Sequence, residues 1–344
     1  MPVTHTPPAV TLPGPDGGTL VGALMAVDRL IVATCLLVLL GGAGLVAVAR
    51  LPTPAWRLTR RVEGRVWWLL RGVWWVTLLA TLGGLLLHGP FTAGLPLSRA
   101  LDATLLAQTV GTRFGGIWAM RVLLLLLLVA VLRAWARREA GWTRTSAWVA
   151  VGVLAAALVV TPALSGHAAA GPDAAVGAVV GVLHFSAAAV WFGGVVLLGT
   201  CVLPRPGVSM LEAVARFSSV AFTAMVVIFV TGMVQGWRQV GSLQALGHTA
   251  YGRLLVAKVA VFLLLIVVAG RSRVLVRRTL MGRALVGANA PDRQTGDTRP
   301  GLSDDAGDES LWLLRRLVLA EVTIAVVVLA VTALLGIATP PRGA

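Results

Sequence analysis

Charge is what this sequence has least of: Asp, Glu, Lys and Arg make up 12% of its 344 residues, whereas 57% are hydrophobic. A soluble domain carries roughly 25% charged residues, so a soluble globular fold is excluded. Cysteine is nearly absent. Cys35 and Cys201 both fall in or at the end of apolar runs, which leaves no disulfide framework to build. There is no G-x-x-x-x-G-K-[ST] loop and no glycine-rich phosphate turn after a strand, so ATP-driven pumping by this chain alone is excluded. No nucleophile–base–acid set is present either, and no enzymatic activity is expected. Two-residue alternation of apolar and polar side chains is missing, which excludes a membrane barrel. The formal net charge of +15 does not point to nucleic acid, because the 29 Lys and Arg residues are not gathered onto one aromatic-interleaved face.

What the sequence has instead is long apolar runs, at 27–49, 66–87, 117–135, 146–164, 176–201, 217–235, 254–269 and 313–338. Roughly 20 apolar residues span the hydrocarbon core of a bilayer. The runs therefore predict an all-α polytopic membrane protein of about eight transmembrane helices, in contact with membrane lipid.

Basic residues set its expected orientation. Arg50, Arg57, Arg60, Arg61 and Arg65 lie in the first connector, Arg133, Arg137, Arg138 and Arg144 in the third, and Arg271, Arg273, Arg277, Arg278 and Arg283 in the seventh. The positive-inside rule puts these connectors in the cytoplasm and both termini outside. Trp118 and Trp237 are then expected in the outer aromatic belt.

Residues 1–26 contain no Lys or Arg and read as a disordered outward arm rather than a cleaved signal peptide. Residues 27–164 form a first four-helix half and 165–338 a second, with 274–311 a disordered cytoplasmic linker and 339–344 an outward tail. A gapless match joins the halves: TRFGGIWAMR, from Thr112 to Arg121, aligns with TAYGRLLVAK, from Thr249 to Lys258, through Thr, an aromatic, Gly and a terminal base. Four helices per half predicts a parallel 4+4 repeat.

The stretch from Thr161 to Gly194 carries two of the five histidines, His167 in a polar connector and His184 inside an apolar run. With the hydrocarbon core starting near Ala178, His184 lies about 9 Å deep, at ~1.5 Å per helical residue. An ionisable group at that depth points to a pathway, relay or ligand site; the alternative is a neutral imidazole hydrogen-bonded to a neighbouring helix. In this topology His5, His88, His167, His184 and His248 all face outward. Imidazole suits Cu, Zn, Fe and Ni, and thioether suits Cu(I), so Met25, Met120 and Met233, near outer helix ends, are auxiliary candidates, with packing as their ordinary role. His5, on the arm, is not expected to bind.

Arg121 and Lys258 occupy equivalent repeat positions and either snorkel to outer headgroups or line an outer vestibule. Glu321, a carboxylate inside the last run, is expected to pair with Arg71 at similar depth; a cation path past Glu321 is the other reading.

SGHAAAGPDAAVGAVVGVLHFSAAAVWFGG, then Arg216-Phe217-Ser218, Thr231-Gly232, Thr249 to Gly252 with Lys258, and the closing stretch from Arg315 to Pro341 resemble the copper resistance protein D family. The resemblance implies an inner-membrane protein of about eight helices that carries copper ions inward or handles them in copper tolerance. It maps copper handling onto His167 and His184. Some relatives carry a fused secreted copper-binding domain, which this length does not accommodate, so a separate secreted copper chaperone is an expected partner. The alternatives are a haem-binding electron-transfer protein of cytochrome b type, or a copper-binding scaffold or sensor that transports nothing.

Overall fold

The computed structural model describes residues 18–49, 60–137, 143–165, 173–202, 208–288 and 302–338. Helices α1 (Gly18–Ala49), α2 (Arg60–Ala93), α4 (Arg113–Ala136) and α5 (Arg144–Ser165) come from the first half of the chain. The short α3 (Ala103–Gly111) precedes α4. The second half opens with α6 (Ala174–Ala188), which runs through a π-helical segment (Ala189–Gly193), α7 (Gly194–Leu197) and a second π segment (Leu198–Val202). It continues with α8 (Val208–Val240), the short α9 (Leu243–His248), α10 (Ala250–Ala288) and α11 (Leu302–Ile337). Eight spans are long and apolar enough to cross a membrane, and the described residues include no strand. Helices suit this setting because each satisfies its own backbone donors and acceptors where no water does so.

The helices overrun the expected limits. α1 begins at Gly18 rather than Val27, so 18–26 is helix and not arm; α10 runs to Ala288 and α11 starts at Leu302, which turns much of the expected 274–311 linker into helix. Apolar spacing explains the first of these extensions of the second half: Val276 is buried and Leu275 packs on the same core. Residues 1–17, 289–301 and 339–344 lie outside the described residues.

Two large apolar cores divide the bundle, one around Phe192, Phe217 and Leu265, the other around Leu36, Trp74 and Leu125, beside a small third cluster of Val240, Tyr251 and Leu335. They join where α1 crosses the first π segment. A Cβ on Gly41 would lie 2.0 Å from the Ala189 carbonyl oxygen, and one on Gly193 would lie 2.5 Å from that of Leu37. Backbone meets backbone here, and only hydrogen fits between.

The two matched blocks share a local construction. Thr112 Oγ1 accepts from the Gly115 N–H at 3.1 Å, and Thr249 Oγ1 accepts from the Gly252 N–H at 2.9 Å. Each glycine lies against the preceding short helix, with a Cβ on Gly115 falling 1.9 Å from Thr109 O and one on Gly252 falling 2.3 Å from Ala245 O. Asp102 and Ser242 cap those short helices. The Leu105 and Thr104 N–H groups hold the half-buried Asp102 carboxyl below the usual carboxylate range.

Helix ends gather on one face. Arg29 on α1 donates to the Gly336 carbonyl near the end of α11, and Arg238 Nη2 on α8 donates to Asp173 O before α6 at 2.7 Å. We call this the terminal face. The arginines at the start of α2, the end of α4 and the second half of α10 lie toward the opposite, arginine face.

Candidate functional site

His184 sits ten residues into α6, which starts at Ala174. Its Nδ1 is 2.9 Å from Thr231 Oγ1 on α8. The threonine hydroxyl has one proton, and it is directed to the Val227 carbonyl, with Ile228 O a further acceptor at 3.2 Å. Both are acceptors only, so the hydroxyl donates along its own helix and leaves a lone pair for the ring. Nδ1 therefore carries the imidazole proton and donates to Thr231, the Ile228 carbonyl is a further acceptor beside the ring, and Nε2 is left with its lone pair. A histidine fixed this way is arranged as a metal ligand is: one nitrogen held by a protein partner, the other available.

The ring borders a cavity of about 150 Å³ whose walls include Trp191, Phe229, Gly232, Met233 and Lys258. Imidazole and thioether thus share one space, and both are soft enough for copper. Lys258 has no hydrogen bond or ion pair among the described residues, and its charge acts on the imidazole. Any cation entering must gain more from its ligands than it loses to that ammonium.

A second polar cluster lies in the first half. Arg121 is 2% exposed; its Nε donates to Thr161 Oγ1 at 2.9 Å and its guanidinium lies 4.9 Å from the Trp118 ring centre. Asp28, also buried, interacts electrostatically with Arg121 and Arg29. His88 stacks on Phe114 at 3.8 Å, Phe114 lies 4.7 Å from Trp118, and Arg29 lies 5.7 Å from the Phe114 ring centre. Gly84 makes room for this cluster, since a Cβ there would fall 2.5 Å from Asp28 Oδ2 and 1.9 Å from the Trp118 ring.

Several expectations change on this geometry. Arg121 turns inward to Thr161 and Asp28 rather than snorkelling to headgroups, because the bundle offers it a hydroxyl, a ring face and an opposite charge. Trp118 is 3% exposed and belongs to the interior, whereas Trp237, 56% exposed, fits a belt position. Glu321 does not pair with Arg71. Ser272 Oγ donates to the Glu321 carboxylate, and Arg71 faces a separate cavity with Trp67, Trp75 and Arg133, because the two helices present them to different neighbours.

The remaining candidates are dispersed. His88 is not among the residues bordering the His184 cavity, and His248 is exposed at the end of α9. Met25 is fully buried in packing, Met120 is 51% exposed on α4, and Met233 alone of the three reaches the His184 cavity. His5 and His167 lie outside the described residues. Among the described residues no three of His, Cys, Asp and Glu come together as a metal cluster.

Sequence reasoning missed Asp28, Arg29 and Thr161. The signal was available for the first two, an acid and a base side by side in a long apolar stretch. Thr231 was visible only as part of a motif, because a threonine in an apolar helix ordinarily bonds to its own backbone.

Comparison with known proteins gives two family models. Residues 20–178 match the N-terminal domain of copper resistance protein D-like proteins, and residues 211–335 match copper resistance protein D. Copper transport protein CutJ of Bacillus subtilis (strain 168) is 32% identical over 178 residues, which is 50% of this chain and 32% of that protein. The chain thus spans about a third of the length of that relative. No solved structure matches.

Proposed function

Since the chain belongs to the copper resistance protein D family, we propose that this membrane protein carries copper ions across the bilayer and takes them up at His184. The observation that carries this reading is the Thr231–His184 hydrogen bond, which leaves Nε2 free in a cavity that Met233 also borders. His167, seven residues before α6, supplies a second imidazole in this reading, and His88 and His248 stand outside the pathway.

The arginine face is cytoplasmic by the positive-inside rule, so both termini lie outside a bacterial-type inner membrane, and copper reaches His184 from that side. A membrane potential then favours inward movement by about 2.3 kcal/mol per charge per 100 mV. Lys258 opposes the entry of a free cation, which suits a metal handed over already ligated, as from a secreted copper chaperone. Copper exchanges from the donor to Nε2 and the Met233 sulfur without passing through its hydrated form.

The test is copper uptake into proteoliposomes by the wild-type protein and by His184→Ala. Uptake by the variant at the wild-type rate overturns the assignment. A haem of cytochrome b type needs two facing axial histidines, and among the described residues His88 is not on the walls of the His184 cavity.

A further inference from the structure

Two cavities lie end to end in the second half of the bundle. One holds His184. The other, about 310 Å³, has Ser218, Phe222, Ser272, Arg273 and Glu321 on its walls. Trp191 and Phe229 border both, so they form a shared wall. Helical rise puts His184 about 15 Å from the Ala174 end of α6 and Glu321 about 24 Å from the Ile337 end of α11, both measured from the terminal face. The Glu321 chamber is therefore the deeper of the two.

The partition is built on unusual backbone. Trp191 and its neighbour Phe192 belong to the π segment Ala189–Gly193, pinned from behind by the Gly41–Gly193 contact. A π turn inside an α-helix widens the helix locally, and such turns occur frequently at functional sites. Phe229, 38% exposed, borders both cavities from α8.

Glu321 is 5% exposed. Ser272 donates to Oε1, and the other carboxylate oxygen has no hydrogen bond among the described residues. Among the described residues Arg273 is the only other ionisable residue on the walls of this chamber, whether from α6–α7, α8, α10 or α11; it lies over the Phe222 ring at 4.7 Å and forms no ion pair with the carboxylate. One carboxylate and two serine hydroxyls fall short of the six to eight oxygens that a hard metal cation takes, and the guanidinium repels such a cation further. A proton needs one oxygen. A buried carboxyl with no paired base sheds most of its desolvation cost by carrying a proton.

We propose that the Glu321 chamber is a proton site in series with the histidine cavity, with Trp191 and Phe229 as the partition between them. The O–H bond forms on a Glu321 carboxylate oxygen and breaks when a cation crosses the partition, since the arriving charge favours the ionised carboxylate. The proton leaves toward the arginine face, and nothing else changes covalently. The inference rests on the copper transport reading for the identity of that cation.

Two measurements keep the two readings apart. In the first, without copper, infrared difference spectra of the full-length protein in proteoliposomes follow a pH step. A protonated-carboxyl band that titrates in wild type and is missing in Glu321→Gln supports the proton site; a band unchanged in the variant overturns it. In the second, copper is added outside and proton movement is followed with a trapped dye. Glu321→Gln keeps the Ser272 hydrogen bond and is expected to bind copper within twofold of wild type while losing at least tenfold in copper-driven proton movement. Equal proton movement in the variant overturns the proposal, whereas failure of wild type to bind copper overturns the copper reading and leaves the infrared result standing. Trp191→Ala is expected to raise the copper-independent proton leak severalfold; an unchanged leak removes the partition.

Discussion

Replacing Thr231 with valine removes one oxygen from the site and little else, because the two side chains have nearly the same shape. His184 Nδ1 is 2.9 Å from that oxygen, and the hydroxyl proton is already committed to the Val227 carbonyl. Without that oxygen the ring N–H keeps only the Ile228 carbonyl, so the loss is a part of the roughly 1–3 kcal/mol that a fully unpaired buried donor costs. The ring escapes part of this by moving its proton to Nε2 or by rotating, and either change withdraws the lone pair offered to copper. Loss of such an outer hydrogen bond lowers metal affinity by about 10- to 100-fold, equivalent to roughly 1.4–2.8 kcal/mol. The assay is competition between detergent-solubilised protein and a chromophoric copper chelator, run in reducing and in non-reducing buffer. Thr231→Ser restores the oxygen and is expected to bind within about threefold of wild type, since its hydroxyl keeps the same role. The reasoning is refuted if Thr231→Val binds as wild type does, or if Thr231→Ser loses as much as Thr231→Val.

Other substitutions follow from the same structure. His184→Ala is expected to abolish most copper binding and copper-dependent accumulation in cells, while His5→Ala alters neither, as measured by metal content of washed cells; normal accumulation by the His167/His184 double variant refutes the site. Gly41→Ala puts a methyl 2.0 Å from the Ala189 carbonyl oxygen, and since backbone yields poorly, about 3 kcal/mol or more of destabilisation is expected, read as a lowered melting temperature in detergent. Arg121→Met leaves Asp28 buried with one opposing charge fewer; the cost is about 3 kcal/mol, and adding Asp28→Asn is expected to recover part of it. Equal stability of the single and double variants contradicts a coupled buried cluster.

The contrast between Glu321 and Thr231 shows what one dimension carries. Both are polar residues within apolar runs, and depth along the helix follows from residue count alone. Depth suggested Arg71 as the partner of Glu321, but α11 presents Glu321 to Ser272 of α10. Nothing in the pattern of apolar residues gave the rotation of α11 about its axis, because lipid and bundle interior are equally apolar and an amphipathic stripe is not required. The same blindness put Trp118 in the outer belt and left Arg121 between headgroups and a vestibule, whereas α4 turns both inward, Arg121 toward Thr161 and Asp28.

The eight spans, their approximate limits and the gathering of arginines at alternate connectors follow from the sequence by itself, because the cost of crossing hydrocarbon is set by length and composition. The capped Thr–aromatic–Gly blocks were legible for a similar reason: a cap acts over three residues. Only the tertiary structure decided which nitrogen of His184 is held, that Lys258 and Met233 share its cavity, and that Glu321 lies beyond Trp191. Those are relations between helices far apart in the chain, and they are fixed by close packing at contacts such as Gly41 against Gly193, where the absence of two side chains sets how near, and at what rotation, whole helices meet.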